Sequence, residues 1–113
     1  MKLQLTIETY DRKLGLQIAG VGDSLTAGTY IDAPSGAKVE YVGSLAAKSF
    51  GIPEVLQFVV DVAKDVDLGL LVTWLYEKVK GKNIARIAIN RREVIEITYE
   101  GIRKTLEEEV KII

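Results

Sequence analysis

The chain lacks two residue types on which much protein chemistry depends, because it contains no cysteine and no histidine. Without cysteine there is no disulfide framework and no thiolate nucleophile, a composition typical of a reducing compartment. Without both residues, zinc, copper, iron–sulfur and haem sites built from their usual ligands are excluded, and so is histidine acid–base chemistry. We therefore expect no cofactor, no metal and a cytoplasmic location.

An excess of charge of either sign is also missing. The 113 residues include 15 basic and 16 acidic side chains, which gives a formal net charge of −1. Binding to a phosphate backbone generally requires a basic surface, so this balance argues against a nucleic-acid partner. The densest basic group lies late in the chain and comprises Lys78, Lys80, Lys82, Arg86, Arg91 and Arg92.

Long uncharged apolar runs are absent as well. The longest apolar region, between Val55 and Tyr76, is interrupted by charged residues from Asp61 onwards. A membrane-spanning helix needs about 20 apolar residues with few or no charges, and the N-terminus alternates apolar and polar residues where a signal peptide has an apolar block. We expect no membrane partner.

What the chain does contain is enough apolar material for one globular domain. Hydrophobic residues make up 48% and charged residues 27%, which is close to the usual composition of a folded domain. At this length we expect a single domain over residues 1–113.

Alternation of apolar and polar residues predicts strands in the first half. Residues 3–8 and 14–18 both alternate, and we predict that they form a first hairpin. The short runs 29–31 and 38–42 flank a Pro-Ser-Gly turn and predict two further strands. Residues 44–50 are compatible with a short helical turn.

Spacings of three and four residues predict two helices in the middle of the chain. One begins at Pro53, a residue suited to the first helical turn, and keeps one apolar stripe as far as Val66. The other covers residues 68–80, with Asp67 as its N-cap and Gly81 at its C-terminal end.

The last part of the chain predicts a hairpin followed by a helix. The Asn-Arg-Arg sequence at 90–92 is flanked by two runs of mainly apolar residues, 84–89 and 94–97. Thr98 is placed to cap a final helix, with residues 107–109 mainly in solvent. Its predicted buried stripe comprises Ile102, Leu106, Val110 and Ile113. We therefore predict an α+β fold, in which a mainly antiparallel sheet of hairpins carries two central helices and a C-terminal helix.

One short segment suggests an enzyme. Gly22-Asp23-Ser24-Leu25 resembles the first block of the GDSL esterases and lipases, in which the serine is the nucleophile. That family takes its base from a late Asp-x-x-His block, and this chain has no histidine, so we interpret residues 22–24 as a turn. Because lysine replaces histidine in some hydrolases, a hydrolase using Ser24 with Lys48 or Lys64 stays open as an alternative.

A second resemblance lies in the later part of the chain. Gly69-Leu70-Leu71-Val72-Thr73-Trp74-Leu75, then a basic turn, a hairpin and a terminal helix, resembles the effector-associated constant component domains of bacterial conflict systems. Those domains commonly carry an apolar helix that ends in a Trp-Leu pair and precedes a hairpin. The resemblance covers about the last two-thirds of the chain and implies a non-catalytic adaptor beside an effector or sensor protein.

We therefore predict a protein-interaction module and not an enzyme, with another protein or a second copy of the chain as partner. The candidate interaction residues are Trp74, Leu70, Lys78, Arg91 and Arg92. Trp74 is the best anchor if it lies on the outer side of its helix, because aromatic residues dominate interface energetics. A further alternative is a small regulator that contacts nucleic acid through the basic residues between Lys78 and Arg92.

Overall fold

A computed structural model describes residues 1–22, 24–34, 36–45 and 51–112. Six strands and three helices lie in these ranges, which confirms the α+β class. In chain order they are β1 (Lys2–Thr9), α1 (Leu14–Ala19), β2 (Tyr30–Ile31), β3 (Ala37–Leu45), β4 (Glu54–Val62), α2 (Leu68–Val79), β5 (Ile84–Ile89), β6 (Arg92–Glu93) and α3 (Tyr99–Ile112).

The strands form one sheet in the order β2-β3-β4-β1-β5-β6, and every neighbouring pair is antiparallel. The first strand of the chain therefore lies inside the sheet, between β4 and β5. Leu5 of β1 lies opposite both Phe58 of β4 and Ile89 of β5. Because successive side chains of a strand point to opposite faces, this register collects the apolar residues of three strands on one face.

All three helices pack on that apolar face. They contribute buried residues to the same core as the strands: Leu14 and Ile18 from α1, Leu71, Val72, Leu75 and Val79 from α2, and Ile102 and Leu106 from α3. Burying a side chain such as Leu or Phe contributes about 1.5–3 kcal/mol, so this single layer of contacts holds the helices on the sheet. Among the described helices, none has both the length and the apolar character needed to cross a membrane.

The prediction of a strand over residues 14–18 was wrong, because these residues form helix α1. Its buried residues include Leu14 and Ile18, four positions apart, a spacing that fits one face of a helix and also alternate positions of a strand. Gly20 ends the helix with a left-handed φ of 72° and donates its N–H to Gln17 and Leu16. Such a helix end favours glycine.

The predicted helix from Pro53 to Val66 was also wrong, and one of the two predicted central helices is therefore strand β4. Leu56, Phe58, Val60 and Val62 are buried at alternate positions of this strand. The run is rich in valine, which favours strands. Pairing with β3 on one side and β1 on the other supplies the backbone hydrogen bonds.

Several local predictions were confirmed. The Asp67 carboxylate accepts a hydrogen bond from the Leu70 N–H at 3.2 Å and caps α2. Thr98 accepts one from the Gly101 N–H at 3.1 Å at the start of α3. The late hairpin exists, but its second strand is only Arg92–Glu93, so the predicted strand over 94–97 was wrong.

The end of the chain differs from expectation at one residue. Glu109 is only 8% exposed, whereas residues 107–109 were expected mainly in solvent. Its carboxylate lies 3.7 Å from the Arg92 Nε, so the positive charge of Arg92 offsets the cost of burying this carboxylate. In the predicted turn over 44–50, residues 44–45 belong to β3. Residues 46–50 and Ile113 lie outside the described part of the chain.

Candidate interaction surfaces

The face of the sheet opposite the core carries no described helix. On β1 this outer face holds Lys2, Gln4, Thr6 and Glu8, which are exposed or half-buried. A face of this kind in an antiparallel sheet commonly meets solvent and is polar. Apolar side chains that remain exposed on it are therefore the informative ones.

Exposed apolar side chains are concentrated on the β2–β3–β4 side of this outer face. Tyr30 is 71% exposed, Leu45 is 65% exposed and Val42 is 43% exposed. Val55 and Val59 of β4 are half-buried on the same face. We call these five residues, Tyr30, Val42, Leu45, Val55 and Val59, the sheet patch.

Strand register brings the members of the sheet patch together. Tyr30 lies opposite Glu40, and Glu40 lies opposite Val59. Leu45 lies opposite Val55 in the same pair of strands. Directly opposed residues have Cβ atoms only about 5 Å apart. Residues distant in the sequence therefore form one surface across three strands.

Charges elsewhere on the outer face are balanced. Arg86 Nη1 lies 3.1 Å from a Glu8 oxygen, and its Nε lies 3.2 Å from a Glu93 oxygen. The hydrogen bond to Glu8, followed by the charges of Glu8 and Glu93, raises the pKa of Arg86 above its usual value. Lys38 lies opposite Asp61, which in turn lies opposite Lys2. The sheet patch is thus bordered by charges of both signs, and the Glu40 carboxylate lies within it, between Tyr30 and Val59.

Trp74 and Leu70, the two candidate residues of α2, differ in solvent exposure. Trp74 is half-buried and packs against the core. Together with residues of the sheet and of α3 it lines a small apolar cavity of about 20 Å³. Leu70 is 52% exposed. Leu70 is therefore the more accessible of the two α2 candidates, and Trp74 contributes to the core.

The basic candidates do not meet at one place. Lys78 lies in the last turn of α2, while Arg91 and Arg92 lie beyond the far end of β5. A strand of this length spans roughly 20 Å. Arg92 is held by Glu108 and Glu109. Arg91 is exposed at the tip of the turn, with a positive φ of 67°.

A different basic group forms where the β1–α1 loop meets the α2–β5 loop. The Asn83 carbonyl accepts hydrogen bonds from the Tyr10 N–H at 3.0 Å and from the Thr9 hydroxyl at 2.9 Å. The same hydroxyl accepts the Asp11 N–H at 2.9 Å. These contacts hold residues 9–11, which directly precede Arg12 and Lys13, against Asn83 in the loop that follows α2.

We call this region the basic end, and it comprises Arg12, Lys13, Lys78, Lys80 and Lys82. Our sequence reasoning missed Arg12 and Lys13, because nothing in the local sequence indicates that the two loops are neighbours. Only the pairing of β1 with β5, in which Thr9 lies opposite Ile84, brings them together.

Ser24 is exposed, but Lys64 is not near it. Leu25 lies beside Gly15 and Leu56, since a Cβ at Gly15 would be 3.4 Å from both leucine side chains. Lys64 follows the opposite end of β4, roughly 20 Å further along the strand. Asp23 and Lys48 lie outside the described residues. Among the residues that the structure describes, no group of three or more acidic side chains is placed to hold a metal.

No protein-family model, no curated protein and no solved structure matches this chain. The resemblance to the conflict-system adaptor domains remains a prediction, and function is inferred from the surfaces of the molecule itself.

Proposed function

We propose that this chain is a non-catalytic protein-interaction module, an adaptor of a bacterial-type intracellular system, which binds a partner protein through the sheet patch. The observation that carries the proposal is the exposure of Tyr30, Val42 and Leu45 together on the sheet face that no described helix covers. The absence of cysteine and histidine supports a cytoplasmic location and a role without catalysis.

The composition of the sheet patch suits a protein partner. Interface centres are enriched in tyrosine and depleted in charge, and their rims are polar. Tyr30 supplies the aromatic anchor, and the valines and Leu45 supply an aliphatic surface beside it. The bordering charges of Lys38 and Asp61 are of opposite sign, whereas Glu40 lies within the patch. We therefore expect the partner to present an apolar surface with a hydrogen-bond donor or a cation opposite Glu40.

The test compares charge insertion on and off the sheet patch. Leu45→Glu, alone and with Tyr30→Glu, places a carboxylate within the patch. Ile95→Glu is the matched control, because Ile95 is 92% exposed and lies outside it. Leu70→Glu examines the exposed side of α2 separately. Each tagged variant is expressed in the source organism and purified with its partners for quantitative mass spectrometry.

We expect one stoichiometric protein to accompany the wild type and the Ile95→Glu variant and to be lost from the Leu45→Glu variants. The purified partner should then rebind the wild type, and not the Leu45→Glu variant, in a two-component sedimentation experiment. Loss with Leu70→Glu alone would move the interface to α2. A partner retained by every variant would refute the proposed surface, and a dimer that Leu45→Glu dissociates would make a second copy the partner.

A further inference from the structure

The basic end is held in shape by buried hydrogen bonds. Thr9 is fully buried, and its hydroxyl bonds to both loops at once. Lys80 lies directly after α2, with its Nζ 5.9 Å from the centre of the Tyr76 ring. The cations of the basic end are therefore carried on the last turn of α2 and on two loops whose backbones are hydrogen-bonded to each other.

The ion pairs between described residues lie elsewhere. Glutamates neutralise Arg86, Arg92 and Arg103. No member of the basic end takes part in an ion pair between described residues. Asp11 and Glu77 are the described carboxylates within the loops and the last turns of α2, and Glu54 of β4 lies opposite Thr9 at the same end of the sheet. Five cations less these three anions leave a local charge of +2.

We propose that the basic end is a second interaction surface, and that it binds an acidic segment of a protein, a run of aspartate and glutamate side chains. Four of its five cations are lysines, which bind as point charges and need no fixed bidentate geometry. They therefore suit the mobile carboxylates of an acidic segment. Thr9 directly follows Glu8, which lies opposite Val55 of the sheet patch, so the two surfaces approach each other at this end of the sheet. The inference does not depend on the function proposed for that patch.

Carboxylates fit this surface better than nucleic acid does. Nucleic-acid affinity grows with the number of phosphates neutralised, and the local charge here is small in a chain whose net charge is −1. Binding of single strands also uses a row of aromatic side chains. In the described part of this surface, Tyr10, which is 47% exposed, is the aromatic residue that solvent reaches most.

The experiment measures fluorescence anisotropy of a labelled peptide of alternating glutamate and glycine, at low ionic strength and through a salt titration. The comparison probes are the same peptide with glutamine in place of glutamate and a labelled oligothymidine. Lys80→Glu with Lys82→Glu is the test variant. Lys64→Glu with Lys104→Glu is the control, since it makes the same change of net charge at exposed sites elsewhere.

We expect the wild type and the control variant to bind the acidic peptide, with affinity falling as salt rises. The test variant should bind it about tenfold more weakly or worse, and the glutamine peptide should not bind. Equal weakening in the control variant would show an effect of net charge alone and overturn the proposal. Absence of peptide binding, or tighter binding of the oligothymidine through Lys80 and Lys82, would overturn it as well.

Discussion

The side-chain Oδ1 of Asn90 accepts a hydrogen bond from the backbone N–H of Gln4 at 2.8 Å, and the backbone N–H of Asn90 donates to the Gln4 carbonyl at 2.8 Å. Asn90 thereby extends the pairing of β1 and β5 by one position past the strand end. It is also the first residue of a two-residue turn, in which Asn90 and Arg91 have φ values of 51° and 67°. Hairpin turns of this kind favour asparagine first and glycine second.

Replacing Asn90 should separate these two roles. Asn90→Ala removes the acceptor and disfavours the positive φ, so we expect a loss of about 1–2 kcal/mol in the free energy of unfolding. Asn90→Asp keeps an acceptor oxygen and tolerates the conformation, so its loss should be smaller. Urea unfolding measures both, and equal losses would contradict a contribution from the bond to Gln4.

Arg91 occupies a position at which glycine is preferred. Arg91→Gly should relieve the strain of the positive φ and raise the free energy of unfolding by about 0.5–1 kcal/mol, after the entropy cost of glycine is deducted. Gly81 gives the converse test, since its φ is 72° and a Cβ there would meet nothing within 4 Å. Gly81→Ala should therefore destabilise by about 1 kcal/mol. In thermal and urea unfolding, the free energy of unfolding should be higher than that of the wild type for Arg91→Gly and lower for Gly81→Ala.

Alanine should have opposite effects at two helical glycines. A Cβ on Gly101 would overlap the Glu96 carbonyl group, whose carbon would lie 2.9 Å away, so Gly101→Ala should cost about 3 kcal/mol or more. At Gly15 the new Cβ would make ordinary contacts at 3.4 Å, and helix propensity should stabilise the variant by about 0.5–1 kcal/mol. A stabilising Gly101→Ala would contradict the close approach of α3 to Glu96.

The Thr9 hydroxyl joins the two loops of the basic end. Thr9→Val keeps the shape but leaves the Asp11 N–H without this acceptor, so it should cost about 1–3 kcal/mol. Thr9→Ser keeps the hydroxyl and should unfold closer to the wild type. Chemical denaturation distinguishes them, and a valine variant more stable than the serine variant would contradict the role of the hydroxyl.

Trp74 should behave as a core residue in a stability measurement. Trp74→Ala removes packing above the apolar cavity and should cost about 2–4 kcal/mol. Leu70→Ser, at a 52% exposed position, should stay within about 0.5 kcal/mol of the wild type. If Trp74→Ala unfolds at the wild-type urea midpoint, its side chain does not support the core. Binding tests on α2 are therefore better made at Leu70.

Local signals predicted the elements that local interactions define. The cap of α2 at Asp67 and the start of α3 at Thr98 each depend on a contact within about four residues. The turn at Asn90 was indicated by the local preference of asparagine for such turns. The alternation in β1 was also unambiguous, because polar residues (Gln4, Thr6 and Glu8) separate its apolar positions. These features were correct in the structure without knowledge of any distant contact.

Two of the wrong predictions, the strand over residues 14–18 and the helix from Pro53 to Val66, arose where periodicity was ambiguous. Leu14 and Ile18 fit a helix or a strand, and the segment is too short for length to decide. The valine-rich run of β4 satisfies both the helical and the strand spacing, and its pairing with β1 and β3 decided the outcome. One of these neighbours, β1, lies far away along the chain, so no local window contains all of the deciding information.

The sequence by itself determined which chemistries are excluded, because the absence of cysteine and histidine removes their ligands and bases wherever the chain folds. It also determined the helix caps, whose hydrogen bonds are local. Only the tertiary structure decided the surfaces. The sheet patch joins residues 30 and 59, and the basic end joins residues 12 and 82. Strand pairing across long separations sets which side chains share a face, and the helices then select the face that is buried.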